Sequence, residues 1–111
     1  MYQRIAHVSL LVDDYDEAID FYTQKLGFRL LQDTALDGNK RWVVVAPPGA
    51  VEASLVLAKA AGTDQVDTVG KQTGGRVSFF LFTDNFWRDY EMYQSRGITF
   101  VRPPKHTTMG Q

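Results

Sequence analysis

One phrase occurs twice in this chain, and the repetition constrains the fold more than any single motif does. HVSLLVDDY, His7 to Tyr15, and VSFFLFTDN, Val77 to Asn85, are both apolar runs closed by aspartate. Each leads into a segment of helical spacing that ends at glycine. Asp14 and Asp84 stand 70 positions apart, and so do Gly27 and Gly97. Strand, cap, helix and stop recur in one register, which favours a duplicated scaffold over unrelated β-α-β segments. The copies differ at their first position. The early one opens on His7, a potential metal ligand, and the late one on Val77, which cannot ligate.

In the first copy His7 and Ser9 sit two apart on one strand face, with Ala6, Val8, Leu10 and Val12 on the other. Asp14 is placed to cap a helix, with Glu17 at the capping-box position. Tyr15, Ala18, Ile19, Tyr22 and Leu26 then form its apolar stripe, and Gly27 stops it. Three strand-like runs follow, Phe28 to Gln32, Trp42 to Ala46 and Ala53 to Ala58, separated by turn-rich DTALDGNK and PPGAVE. The order predicted for residues 1–58 is therefore β-α-β-β-β. Residues 59–75 are polar and glycine-rich without clear periodicity and read as a connection. Residues 76–111 begin a second module: a strand over Val77 to Phe82, Asp84 as cap, a helix carrying Phe86, Tyr90 and Tyr93, Gly97 as stop, and a strand from Ile98 to Arg102. With strands of about 5–6 residues plus turns, that module is roughly 15–25 residues short of complete. The expected fold class is α+β, two βαβββ modules with curved mixed sheets forming one structural domain, the second module incomplete.

The 111 residues, 44% of them hydrophobic, suffice for one core. Absence of cysteine excludes disulfides, thiolate metal sites and cysteine nucleophiles. No run reaches the roughly 18–20 apolar residues of a membrane span, and MYQRIAHVSL has neither a long apolar h-region nor a small-residue cleavage site. A soluble cytoplasmic protein is the expectation. Twelve basic against thirteen acidic residues, with no Lys/Arg stripe, argue against a nucleic-acid partner. KQTGGR, Lys71 to Arg76, lacks P-loop spacing and precedes a strand, so it reads as a turn. No GxSxG or HExxH motif supports a hydrolase.

A repeated unit of this order, opened by HVSLLVDDYDEAIDFYTQKLGF, resembles the vicinal-oxygen-chelate superfamily. This superfamily includes glyoxalase I, bleomycin-resistance proteins, extradiol dioxygenases and fosfomycin-resistance enzymes. The resemblance rests on His7 and the strand after it, the aspartate cap, the pair Phe21 and Tyr22, and Leu26-Gly27-Phe28, and it runs from Ile5 to Gln111. It implies paired modules enclosing a cavity and a homodimer in which a second subunit completes the site. Metal-dependent members carry a ligand on the first strand of each module and a glutamate on the last. His7 matches the first position, Val77 occupies its counterpart, and the first module's glutamate would fall near Val56; Glu52 lies four residues before it.

Two functions of different class follow. One is a small-molecule-binding protein of the bleomycin-resistance type, with no metal or other cofactor. The other is a divalent-metal-dependent lyase, isomerase or dioxygenase using His7 with a single zinc, nickel, manganese or iron ion. Ligand positions favour the first. The candidate ligand-binding residues are His7, Ser9, Arg41, Trp42, Arg76, Val77 and Phe79, with His7 the candidate metal ligand. Arg41 and Arg76 suit an anionic group, since guanidinium binds carboxylate or phosphate through paired hydrogen bonds. Trp42 offers a flat wall, and Phe79 shares the strand face of Val77. His106 reads as a solvated loop residue. Phe80 and Phe82, on the opposite face, predict a strand buried on both sides.

Overall fold

In the computed structural model, residues 1–50 and 52–104 are described. Their elements follow the order expected of the first module: β1 (His7–Val12), α1 (Tyr15–Asp20), β2 (Arg29–Ala35), β3 (Arg41–Ala46) and β4 (Ser54–Lys59). Two further helices follow, α2 (Gly62–Thr68) and α3 (Phe86–Ser95). The strands form a curved, unclosed mixed sheet in the order β1-β4-β3-β2. β1 runs parallel to β4, and the other pairings are antiparallel. This is the α+β class anticipated from the repeat.

Local chemistry explains the helix boundaries. Asp14, extended at φ −149°, accepts a hydrogen bond from the Glu17 backbone N–H at 2.8 Å. It satisfies one of the orphan donors that every helix leaves at its start. α1 continues into a π-helical turn, Phe21–Lys25, which Gly27 ends at φ +76°. A side chain there would meet the steric penalty of left-handed backbone.

Alternation sorts the side chains of the sheet into two layers. Val12, Val43, Val45, Leu55 and Leu57 face α1, and with Tyr15 and Phe28 they form the core, all at or below 8% exposure. Leu10, Ala18, Ile19, Tyr22 and Leu26 pack around it. His7, Ser9, Trp42, Val44, Ser54 and Val56 belong to the opposite face. The outward edge of β1 is met by one side chain. Gln72 accepts from the Leu11 N–H at 2.8 Å and donates to the Ser9 carbonyl at 3.1 Å.

The structure corrects several details of the sequence reading. The 59–75 connection contains α2. That helix buries none of its residues, so it needs no apolar stripe, and stripes are what periodicity detects. Val77 to Phe82 and Ile98 to Arg102 are not in strands, because among the described residues no strand pairs with them. Phe80 and Phe82, expected to be buried, are each 89% exposed. The cap of α3 is Asn85, whose side chain accepts from the Arg88 N–H at 3.1 Å; Asp84 ion-pairs with Arg88 at 2.9 Å instead. The caps are thus one position out of the register that the glycines keep. His106 lies outside the described residues.

The chain divides into two compact units, Met1–Ser78 and a second beginning at Phe79. In the second, α3 stacks Phe86 on Tyr90 with ring centroids 5.9 Å apart, and Tyr90 meets Phe100 at 4.7 Å. Asp89 accepts hydrogen bonds from Arg88 and from the Thr83 hydroxyl, which hold its carboxyl below the usual carboxylate range.

Leu57 has no exposed surface, whereas Leu36 is 49% exposed. Leu57→Ala is expected to lower unfolding free energy by about 3 kcal/mol through lost transfer energy and a residual cavity. Leu36→Ala should change it by less than about 0.5 kcal/mol. Urea denaturation of the two variants beside the parent checks the contrast.

Candidate functional site

β1 brings His7 to the sheet face opposite α1, and its pairing with β4 sets Ser54 beside it. His7 Nδ1 lies 2.8 Å from Ser54 Oγ, and the same hydroxyl lies 3.3 Å from the Ala6 carbonyl oxygen. The Ala6 carbonyl also accepts from the Ser54 backbone N–H at 3.0 Å, so this corner is held by main chain and side chain together. The Trp42 ring meets His7 edge to face, centroids 5.4 Å apart at 82°. Trp42 Nε1 donates to Gln32 Oε1 at 2.6 Å. The indole is therefore anchored through its only donor, and its ring remains as an apolar surface.

A cavity of about 200 Å³ opens at this end of the sheet, lined by Arg4, His7, Leu31, Glu52 and Ser54 among others. Arg4, Leu31 and Glu52 enter the site through folding, because they come from an N-terminal extension, a bulged strand and a loop. Ala53, also on the cavity wall, adopts left-handed backbone at φ +56°, an uncommon state for a residue with a Cβ. A larger groove of about 450 Å³ lies on the α1 side, between Leu10, Leu11, Phe21, Tyr22, Val69 and Gly70, with Asp13, Asp14, Glu17 and Asp20 at its rim. Asp14 is already committed there to capping α1.

Ser9 shares the face of His7, but Arg41 projects toward α1. Its guanidinium contacts Asp33 twice, at 3.1 and 2.7 Å, and Asp16 at 2.9 Å, and it lies over the Tyr15 ring at 5.1 Å. The Tyr15 hydroxyl accepts from the Arg41 backbone N–H. Arg41 thus fastens α1 to the sheet. Arg76 closes a turn, its carbonyl accepting from the Thr73 hydroxyl. Val77 is 63% exposed and in no strand, and Phe79 belongs to the second unit.

A metal centre needs several convergent donors. His7 and Glu52 line one cavity, but among the described residues no group of three or more His, Asp and Glu side chains could hold an ion. Ser9 and Val56, paired in the parallel register, offer no carboxylate beside His7. The described donor set does not fit a resident divalent ion.

Comparison with known proteins decides the family. The profile of the Glyoxalase/Bleomycin resistance protein/Dioxygenase superfamily matches residues 4–111. The chain belongs to this superfamily. An uncharacterized protein of Shewanella frigidimarina (strain NCIMB 400) is 55% identical over 111 residues, covering 99% of this chain and 82% of the relative. Among crystal structures, a superfamily member from Sphaerobacter thermophilus DSM 20745 superposes with TM-score 0.81 at 31% identity, over 99% of this chain and 84% of that one. TnmS3, an antibiotic binding protein from Streptomyces sp. CB03234, superposes with TM-score 0.74 at 34% identity, over 96% of this chain and 80% of that one. Within this glyoxalase/bleomycin-resistance fold, His7 is anchored on the sheet by Ser54 and stands edge to face with Trp42.

Arg41 holds the Asp33 carboxyl below the usual carboxylate range, chiefly by hydrogen bonding. A depressed folded-state pKa gives stability that is present above the unfolded value and lost as pH falls through the folded one. Asp33→Asn is accordingly expected to flatten the decline in stability below about pH 4, as measured by thermal melts across pH.

Proposed function

We propose that this protein binds a small organic molecule at the His7–Trp42 corner of the sheet, in the manner of an antibiotic-binding protein and without a metal ion. The observation that carries this reading is the Trp42 ring, tied down through Nε1 and standing edge to face with His7 beside the cavity. A rigid aromatic wall with one polar group next to it is the usual anatomy of a small-molecule site, where apolar contact supplies affinity and few polar groups fix orientation. The cavity volume of about 200 Å³ suits a ring or short substituent, with the remainder of the molecule across the indole. Similarity to TnmS3 supports an antibiotic as the ligand class. The donor set around His7 favours binding over metal-assisted catalysis.

The test is a fluorescence titration in a Trp87→Phe background, where Trp42 is the remaining indole. Bleomycin and flat polycyclic antibiotics are the probes. At least one is expected to quench Trp42, with Kd unchanged by EDTA and weakened 10-fold or more by Trp42→Ala. Quenching that requires a divalent ion and disappears in His7→Ala would return the metal-dependent enzyme as the better reading.

We also propose that the protein works as a homodimer. In the second unit Phe80, Phe82 and Val101 are 89%, 89% and 95% exposed, an apolar surface that soluble proteins ordinarily cover. Sedimentation equilibrium is expected to give twice the 12.6 kDa chain mass, and Phe80→Ser with Phe82→Ser to return the single-chain mass.

A further inference from the structure

We infer that Ser54 fixes His7 as the Nδ1–H tautomer, so that Nε2 accepts a hydrogen bond from the ligand and selects molecules bearing a hydroxyl group beside a flat ring. The inference rests on the binding reading above and assigns the polar half of that site. Ser54 Oγ has one proton and two polar neighbours, His7 Nδ1 at 2.8 Å and the Ala6 carbonyl oxygen at 3.3 Å. A carbonyl only accepts, so we place the hydroxyl proton toward Ala6, an arrangement in which Oγ takes its contact with Nδ1 as acceptor. The imidazole proton therefore sits on Nδ1. In the neutral ring Nε2 then carries a lone pair and no proton.

Ser54 is well placed to enforce this. It is 8% exposed, its backbone N–H is bonded to Ala6, and its register with His7 is set by the β1–β4 pairing. His7 itself is exposed, and among the described residues Nε2 makes no hydrogen bond. The nearest large neighbour, Trp42, has committed its N–H to Gln32 and presents only ring. A ligand resting on that ring finds an acceptor at His7. A hydroxyl proton matches it, whereas an ether or carbonyl at the same place would oppose two lone pairs. Ser54 is a positioning residue, acting through His7, and His7 Nε2 is the specificity-determining atom.

The tautomer is measured without any ligand, by long-range ¹H–¹⁵N correlation spectra of the imidazole at a pH where the ring is neutral. His7 is expected to show a protonated Nδ1 and an unprotonated Nε2. Ser54→Ala should shift the ring toward the Nε2–H form, and Ser54→Thr, which keeps the hydroxyl, should restore the parent pattern. A predominantly Nε2–H ring in the parent protein, or no change in Ser54→Ala, overturns the inference. Selection is measured with 2-naphthol and 2-methoxynaphthalene, followed by Trp42 fluorescence in the Trp87→Phe protein. The parent should prefer the naphthol by roughly 10-fold, and His7→Phe should reduce the preference to about 1. Equal binding of the two probes overturns the inference while leaving the binding site standing. Failure of both probes and of the antibiotics to affect Trp42 overturns the two together.

Discussion

The parallel pairing of β1 with β4 is the contact on which the rest depends. Parallel neighbours cannot be joined by a tight turn, so the chain must leave the sheet after Val12, cross it and return. α1 is the outward part of that excursion, and β2 and β3 are the way back. Once α1 covers one face, the pleat decides every side chain: Leu55 and Leu57 go beneath the helix, and Ser54 and Val56 do not. His7 meets Ser54 only because residues 7 and 54 are partners in that ladder. A slip of one residue would turn the histidine into the core and bring Val8 to the site.

Arginine 41 illustrates how the same pleat allots charge. At the first position of β3 it shares the parity of Val43 and Val45, so it reaches α1 and gathers two carboxylates and an aromatic ring. Trp42, one position later, takes the other face, where its ring meets His7. Neighbouring residues in one strand therefore serve two purposes. The arginine fixes the helix to the sheet, and the tryptophan meets His7 on the opposite face.

The first module was legible because its signals are local: an aspartate cap three residues before the N–H it accepts from, an apolar stripe, a glycine with positive φ, and strands with clean alternation. His7 and Ser9 were placed on a common face by counting in twos, and the structure keeps them there. What counting could not supply was long-range. Ser54 joins His7 through a pairing across 47 residues and carries no motif, and Leu31 reaches the same cavity from β2. For Arg41 the sequence shows a strand-opening arginine but not that folding brings the Asp16 and Asp33 carboxylates to it. The second module's strands were read from real apolar runs, but a strand exists only with a hydrogen-bonded neighbour, and composition does not report one. The cap of α3 slipped from Asp84 to Asn85 because both residues can cap and backbone geometry chose between them.

The Gln72 amide on β1 is a strand one residue long. It gives one hydrogen bond and takes one, the same exchange that a neighbouring chain would make with Ser9 and Leu11. An intruding strand must break both bonds before it makes any, and it must do so at the middle of the edge, where register would otherwise be free to form. Among the described residues, one side chain thus occupies main-chain groups at the border of the sheet, and it takes none of the length that a covering helix or an additional strand would need.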